Sequence, residues 1–453
     1  MHRRNFPRHR FWAAVALVTF VATVLPACGG SSGGAAGSGP LPSLPPPTKG
    51  KYFTHIVIVV QENRTFDNLF STFPGADGTR TGKLHDGSSM PLQEHDLYDP
   101  ISPNTDHASW LTGYNDGRMN GFDLIPDGPN PGTALYQYVN PAQIQPYWTL
   151  AKQYVLADHM FQTQGTGSFT AHQDLIAGGA MISASKSLID FPTLPPWGCD
   201  APSGTLTTLI TANNQYLAND GPFPCLRYRT LRDTLDAKAV TWRYYAPEIG
   251  HSFGGDLWNA FGAIDAVRHG PEWSTNVTWP ETNVFRDISH DTLPSVAWVI
   301  PDFQNSDHPG AVSDTGPSWV AQVVNTIGQS PAWNSTAIVI VWDDWGGWFD
   351  HVRPPGDLRY GGLGFRVPMI VVSPFSKHAY VAHNSYEFGS IVQFVEDNWG
   401  LPRLGTTDVR AASFIDDVFD FKQRPRTFAP VDARYSRSFF ERQQPSNLPV
   451  DNE

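Results

Sequence analysis

The sequence predicts an α/β fold, with a central and mostly parallel sheet flanked by helices and with long irregular insertions. Runs of consecutive β-branched residues, such as HIVIVV (55–60) and AIVIVW (337–342), are typical of strands buried on both faces of a parallel sheet. Segments with apolar residues at three- and four-residue spacing, which is the helical period, lie between such runs. Strands that alternate with helices along a chain assemble into α/β sheets.

The first 50 residues precede the predicted fold. The basic stretch MHRRNFPRHR and the short apolar run FWAAVALVTFVATVL predict a secretory signal over residues 1–28. It ends in LPAC, which resembles a bacterial lipoprotein signal in which Cys28 is lipidated; ordinary cleavage nearby is the alternative. Residues 29–50 are rich in Gly and Ser, then Pro, and predict a tether. We therefore expect an exported protein that is periplasmic, secreted, or anchored to the cell envelope and its membrane by an N-terminal lipid.

Residues 51–453 are predicted to form a single domain. Strands are expected at 55–60, 295–302, 337–342 and 367–375, and helices directly after the first strand, at 316–329 and at 388–399. The regions 72–150 and 185–290 are irregular, and we expect them to be insertions that cover the edge of the sheet and wall the site. The tail after Phe421 is polar and is expected to be extended.

The composition excludes some classes of function. The net charge of −12 argues against nucleic-acid binding, which normally needs a basic surface. Aromatic residues make up 13% of the chain, and these indicate a globular protein rather than a disordered one. Behind the signal, Cys199 and Cys225 are the remaining cysteines. Export favours a disulfide between them, and two buried thiols are the alternative.

Carboxylates follow two of the predicted strands. Glu62 and Asn63 come after the first β-branched run, and Asp343 and Asp344 come directly after AIVIVW. Ligands of parallel sheets bind at the carboxyl ends of the strands, so these side chains are expected to gather at one edge. Buried carboxylates are costly unless they are paired or bind a metal. An oxygen-rich cluster suits Mg, Ca or Mn, or zinc, whereas an exposed acidic turn is the alternative.

Three motifs carry a resemblance to a known family. VIVVQENRTFDNLF (57–70), IVIVWDDWGGWFDHVRPP (338–355) and GFRVPMIVVSPFSK (364–377) resemble motifs of the bacterial phosphoesterase family. This family contains phosphatidylcholine-type phospholipases C and a group of acid phosphatases, and the resemblance runs over roughly residues 52–400. It implies an alkaline-phosphatase-like fold. It also implies hydrolysis of a phosphate ester through a hydroxyl nucleophile beside one divalent metal ion.

The resemblance also implies the residues of the metal site and the nucleophile. The implied ligands of the ion, which is Mg, Ca, Mn or Zn, are Glu62, Asn63, Ser168, Asp343 and Asp344. Asn63 is also expected to contact the phosphate. Ser168, in QGTGSFTAHQ (164–173), matches the nucleophile, with Thr170 as its local rival. A role as a helix N-cap is the alternative for Ser168.

Histidines are expected to protonate the leaving group and to balance the phosphate charge, because imidazole titrates near neutral pH. His107 in TDHASW and His308 in SDHPG resemble family elements and are predicted to be catalytic and phosphate-binding. His251 in EIGHSFGG is the third predicted catalytic histidine. His351 is expected either at the site or bracing the Asp loop, the segment 343–350 that begins with Asp343 and Asp344. His172 is expected to pack in the core.

These features predict a metal-dependent hydrolase that works through a phosphoserine intermediate. The choice between phosphomonoesters and phosphodiesters, including phospholipid head groups, stays open. The many aromatic residues either line a choline pocket by cation–π contact or only pack the core. A catalytically inactive, surface-anchored binding protein of the same fold is the alternative function.

Overall fold

An eight-stranded sheet forms the centre of the part of the chain that the structure describes. This structure is a computed structural model and describes residues 42–446 apart from 126–131, 250–252, 357–359 and 361. The strands of the sheet, numbered along the chain, are β1 His55–Gln61, β2 Val155–Ala157, β3 Trp242–Tyr245, β4 Val277–Thr278, β5 Val296–Val299, β6 Thr336–Trp342, β7 Met369–Val372 and β8 Tyr380–Ala382.

The strands lie in the order β4-β3-β5-β1-β6-β7-β2-β8. The neighbours from β4 through to β6 pair in parallel, as do β2 and β8. Only β7 runs against the others among these eight, since it pairs antiparallel with β6 on one side and β2 on the other. The predicted α/β fold with a mostly parallel sheet is therefore confirmed.

The two central strands place the candidate site. β1 and β6 pair in parallel over their full length, with His55 opposite Thr336 and Gln61 opposite Trp342. Every residue of both strands is buried, as expected for β-branched runs covered on both faces. Because the two strands end level with each other, the residues that follow them emerge side by side.

Helices flank the sheet. In chain order they are α1 Phe66–Phe70, α2 His107–Tyr114, α3 Gln145–Gln153, α4 Ser168–Ala177, α5 Leu231–Ala237, α6 Phe253–Trp258, α7 Asp265–Arg268, α8 Glu272–Thr275, α9 Asn283–Ser289, α10 Gly316–Gly328, α11 Phe388–Trp399, α12 Ile415–Val418 and α13 Arg437–Phe440. Helix α4 packs against α11, and α10 packs against α3 and α9. The predicted helices at 316–329 and 388–399 match α10 and α11.

The region 185–290 is more than the predicted insertion. It supplies β3 and β4, which form one edge of the central sheet. The sequence did not indicate them, because short strands are held by their neighbours and need no long apolar run. The small sheets outside the centre are built from Thr81–Lys83 with Ser89–Pro91, Gln93–His95 with Gln137–Val139, Met160–Phe161 with Tyr386–Glu387, and the antiparallel group Met181–Ser183, Lys186–Ile189, Thr208–Thr211 and Tyr216–Leu217.

The structure describes the two cysteines of the predicted disulfide and most of the C-terminal tail. Cys199 and Cys225 form the predicted disulfide, 26 residues apart in sequence. The tail was expected to be extended, but it contains α13, whose Phe440 packs on Trp319 with ring centroids 5.5 Å apart.

Within the described residues, no helix combines the length and the apolar character that crossing a membrane requires. The predicted signal and Cys28 lie outside the described residues.

Candidate active site

The ends of β1 and β6 bring Glu62, Asn63, Asp343 and Asp344 together. The Asp343 N–H donates to the Gln61 carbonyl at 2.9 Å, which continues the pairing of the strands. The Asn63 N–H then donates to Asp343 Oδ1 at 2.9 Å, and the Asn63 amide donates to Asp344 Oδ2 at 3.4 Å. All four side chains are buried.

Backbone conformation lets the two strand ends approach this closely. Asn63 has a φ of 58°, in the left-handed region that Asn tolerates better than most residues. Gly346 follows the Asp pair with a φ of 63°, and a Cβ there would lie 1.9 Å from the Asn63 carbonyl oxygen. Only glycine satisfies both conditions, and its N–H donates to Asp344 Oδ1 at 2.7 Å.

Ser168 is the hydroxyl that faces this cluster. It opens α4, and the N-cap position belongs to Gly167, so the alternative role of Ser168 as N-cap is not the one observed. Its Oγ donates to Asp344 Oδ2 at 3.0 Å and to Asn63 Oδ1 at 3.3 Å. The rival hydroxyl of Thr170 instead donates to the Asp190 carbonyl at 3.0 Å. The geometry therefore favours Ser168 over Thr170 at the carboxylates.

His172 also reaches the cluster, although sequence reasoning assigned it a packing role. Its Nε2 lies 3.0 Å from Glu62 Oε1 and 3.8 Å from Asp343 Oδ2. The signal that could have indicated this is spacing, because residues i and i+4 share one face of a helix and Ser168 is four residues earlier. One face of α4 thus carries both a hydroxyl and an imidazole towards the carboxylates.

Burial makes the negative charge of the cluster costly. It raises the pKa of Asp343 well above its usual range, and repulsion from Glu62 raises it further. In the described part of the chain, Asp343 Oδ2 accepts no hydrogen bond. Buried carboxylate, amide and hydroxyl oxygens are suitable ligands for a divalent cation, whose charge would offset theirs. The residues present therefore fit the predicted metal ion.

His107 is joined to the segment that precedes Ser168 through Asp190, which sequence reasoning missed. The backbone N–H of His107 donates to Asp190 Oδ1 at 2.8 Å, and the ring Nδ1 of His107 lies 2.7 Å from the Gly165 carbonyl oxygen. The Asp190 N–H donates to Thr166 Oγ1 at 2.7 Å, two residues before Ser168. Burial lowers the pKa of the His107 imidazole, which favours the neutral ring.

A cavity of about 450 Å³ opens beside Asp190. Asp106, Trp197 and Tyr216 also line it, and Tyr216 donates its hydroxyl to Asp190 Oδ2 at 2.7 Å. The Tyr216 ring stacks on His107 at 6.2 Å. Burial raises the pKa of Asp190 to about 7, against the lowering effect of its hydrogen bonds. The cavity thus combines two carboxylates with aromatic rings, and Asp190 in its wall contacts Thr170 of α4.

The other two predicted catalytic histidines have different outcomes. His308 is buried against Trp258, with ring centroids 5.8 Å apart, and its Nδ1 faces the Pro309 carbonyl. The same Trp258 ring lies 6.4 Å from the His172 ring, so His308 is one aromatic ring away from the cluster. His251 lies outside the described residues.

His351 belongs to a separate buried ion-pair network. Its Nδ1 lies 2.6 Å from Asp67 Oδ2, and Arg366 pairs with both Asp67 and Asp350 at 3.3 and 2.9 Å. Burial lowers the pKa of His351, but the hydrogen bond and charge of Asp67 outweigh it, so the pKa is raised. Two carboxylates and an imidazole could hold a metal ion by distance alone. Here the Arg366 guanidinium already supplies the positive charge, so the network braces the Asp loop.

Known proteins resemble this chain over most of its length. The sequence profile of the Phosphoesterase family matches residues 53–402. Non-hemolytic phospholipase C of Pseudomonas aeruginosa is 26% identical in an alignment 395 residues long, and the alignment covers 77% of this chain and 54% of that protein. Phospholipase C B of Mycobacterium tuberculosis is 22% identical in an alignment 473 residues long, and the alignment covers 93% of this chain and 87% of that protein.

Solved structures resemble it more distantly. A protein in the alkaline phosphatase superfamily from Vibrio parahaemolyticus aligns with a TM-score of 0.36 and 11% identity, covering 82% of this chain and 73% of that chain. The lipoteichoic acid synthase LtaP from Listeria monocytogenes aligns with a TM-score of 0.36 and 10% identity, covering 79% and 76%. Scores this low carry no argument about function.

Proposed function

The chain belongs to the phosphoesterase family, as its motifs predicted, and on that premise we propose that it is an exported, metal-dependent phosphoric ester hydrolase of phospholipase C or acid phosphatase type. The observation that carries the proposal is the contact between Ser168 Oγ and Asp344 Oδ2 at 3.0 Å. A hydroxyl at the start of a helix thus lies against a buried carboxylate and a buried amide oxygen from two other segments. A catalytically inactive binding protein would not need this arrangement.

One divalent cation would be held by the oxygen-rich cluster at the ends of β1 and β6. The residues proposed to hold it are Glu62, Asn63, Ser168, Asp343 and Asp344. When bound, the cation would lower the pKa of the serine hydroxyl and offset charge on the phosphate. Helix α4 begins at Ser168, and the N–H groups of a helix's first turn suit phosphate oxygens.

The reaction proposed for these residues has two steps. Ser168 Oγ, whose proton has passed to solvent, forms a bond to phosphorus while the bond from phosphorus to the ester oxygen breaks. A histidine protonates the departing oxygen, and His107, His308 and His251 are the candidates. Water then attacks the phosphoserine, which restores the serine and releases phosphate or a phosphorylated head group. Asn63, His107 and His308 are proposed to orient the phosphate.

The cavity beside Asp190 bears on the choice of substrate. Carboxylates and aromatic faces attract an organic cation, so Asp106, Asp190, Trp197 and Tyr216 favour an ester with a cationic head group. The names of the relatives, phospholipases C, agree with a phosphodiester. We therefore place a phosphodiester with a cationic alcohol ahead of a small phosphomonoester.

The test compares two chromogenic esters on one preparation. With Mg, Ca, Mn or Zn present, p-nitrophenylphosphorylcholine should be hydrolysed faster than p-nitrophenyl phosphate. Ser168→Ala should abolish turnover, whereas Thr170→Val, which removes the rival hydroxyl, should retain it. Acid-quenched wild-type enzyme should contain a phosphorylated peptide that includes Ser168. No turnover of either ester with any metal would favour the binding protein instead.

The disulfide supports export of the protein, and substitution of Cys28 tests the proposed lipid anchor. The Cys199–Cys225 disulfide is of the kind that persists in oxidising compartments. We propose that residues 1–28 direct export and that Cys28 carries a lipid. Cys28→Ala should move the protein from the membrane fraction to the soluble fraction of a bacterial host. An unchanged distribution would refute the lipid anchor and leave the proposed phosphoesterase activity intact.

A further inference from the structure

His172 occupies a position in the carboxylate cluster that the family resemblance did not assign. It lies on α4, four residues after Ser168, and its side chain is 1% exposed. Its Nε2 is 3.0 Å from Glu62 Oε1, which follows β1, and 3.8 Å from Asp343 Oδ2, which follows β6. One imidazole nitrogen therefore faces carboxylates from both central strands.

These distances suit three ligands of one ion. The ligand atoms of Glu62, His172 and Asp343 all lie within 4.8 Å of one another. Ligands bound at about 2.1 Å are separated by about 3.0 Å when they subtend a right angle, and by up to about 4.2 Å when they are opposite. The two distances of 3.0 and 3.8 Å from Nε2 lie inside this range. Asp343 Oδ2 also accepts no hydrogen bond from any described residue.

We propose that His172 is a direct ligand of the cation, and that the site therefore takes a borderline metal such as Zn²⁺ in preference to Mg²⁺ or Ca²⁺. Imidazole suits zinc and other transition metals, whereas all-oxygen sets suit the hard cations. The inference rests on the proposed metal-dependent function and adds a nitrogen to its oxygen ligands.

The competing explanation is that His172 only orients Glu62 from outside the metal site. Histidines commonly do so through one hydrogen bond to one carboxylate. Here Nε2 faces two carboxylates from different strands, and the Trp258 ring lies nearly parallel to the imidazole, at an interplanar angle of 17°. Nε2 therefore has a second carboxylate oxygen within 3.8 Å, which a single hydrogen bond to Glu62 does not require.

Metal affinity separates the two explanations without any turnover. Dissociation constants for Zn²⁺ and Mg²⁺ are measured by chelator competition on metal-free protein, for wild type, His172→Gln and His55→Gln. His55 is the matched control, because it is a buried histidine at the opposite end of β1, about 23 Å from Glu62 at about 3.3 Å per residue.

His172→Gln should weaken Zn²⁺ binding by more than about 100-fold, beyond the range of an outer partner, and Mg²⁺ binding by less than about 10-fold. His55→Gln should change neither constant. If His172→Gln weakens both metals by the same factor, the imidazole acts from outside and the proposal is overturned.

Spectroscopy gives a direct readout of coordination. X-ray absorption of the Zn²⁺-loaded wild-type protein should show scattering from a bound imidazole, and His172→Gln should lose it. Should that variant not fold, the wild type alone decides, since a spectrum with only oxygen neighbours overturns the proposal. A protein that binds zinc through oxygens and hydrolyses esters would overturn this inference and leave the proposed function intact. Turnover by a protein stripped of metal would overturn both.

Discussion

The buried network around Arg366 allows a quantitative test of what holds the Asp loop in place. The guanidinium meets Asp350 at 2.9 and 3.1 Å and Asp67 at 3.3 Å, and all three side chains are fully buried. Two more of its hydrogen bonds reach the carbonyls of Asp77 and Asp158 at 2.7 and 2.9 Å. The change to make is Arg366→Met, which keeps an unbranched apolar stem and removes the guanidinium with its charge.

The expected loss of stability is about 4 kcal/mol. Removing one partner of a buried ion pair typically costs about 3–5 kcal/mol, because the other charge is left buried without compensation. Unfolding entropy is about 2.1 cal/mol/K per residue, or about 0.85 kcal/mol/K for a folded part of about 400 residues. A loss of about 4 kcal/mol therefore corresponds to a fall of about 5 °C in melting temperature.

The assay is thermal unfolding of the metal-free protein followed by circular dichroism at pH 7.5. Arg227→Met is the control, because Arg227 also pairs with a carboxylate, Asp265, at 2.8 Å, but its side chain is 83% exposed and that of Asp265 is 28% exposed. Exposed pairs contribute at most about 1 kcal/mol, so this variant should melt within about 1 °C of wild type. Equal shifts in the two variants would refute the assignment of the cost to burial.

Three further outcomes are expected. Removing the disulfide with Cys199→Ala and Cys225→Ala opens a loop of 26 residues and should cost about 3.5 kcal/mol in urea unfolding; an unchanged midpoint would contradict this. Burial raises the pKa of Asp174 well above its usual range, so its contribution to stability is complete below the unfolded pKa and is lost as pH rises towards the folded one. Asp174→Asn should therefore stabilise the protein more at pH 8 than at pH 5, and an equal gain at both would be evidence against it. Because Asp190 has a pKa of about 7, KM for p-nitrophenylphosphorylcholine should fall between pH 6 and pH 8 in wild type but stay flat in Asp190→Asn; p-nitrophenyl phosphate, which has the same leaving group but no choline cation, is the control.

The central part of the fold could be predicted because its signal is local. A strand buried on both faces must be apolar throughout, so β1 and β6 were visible as β-branched runs with nearly correct ends. β3 and β4 could not be found in this way, since they have four and two residues. Such short strands depend on the hydrogen bonds of their neighbours, which no local pattern reveals.

The residues of the candidate site also differ in whether a local sequence pattern could predict them. Glu62 and the Asp pair could be placed at one edge because the ends of parallel strands coincide there. The role of Asp190 could not be predicted, because its contact with His107 joins segments 83 residues apart. The contact also depends on the left-handed conformation of Asp190 itself, whose φ is 55°. His172 lay within reach of prediction through its spacing from Ser168, although it was expected to pack in the core.

The segment 343–350 shows two ways to bury carboxylates within one loop. Asp350 has the guanidinium of Arg366 at 2.9 Å, a permanent charge that cannot leave. Asp343 has instead the weakly basic His172 imidazole at 3.8 Å, and its Oδ2 accepts no hydrogen bond from the described residues. Under the proposed function, an exchangeable cation would compensate Asp343, whereas the guanidinium of Arg366 pairs permanently with Asp350 and Asp67.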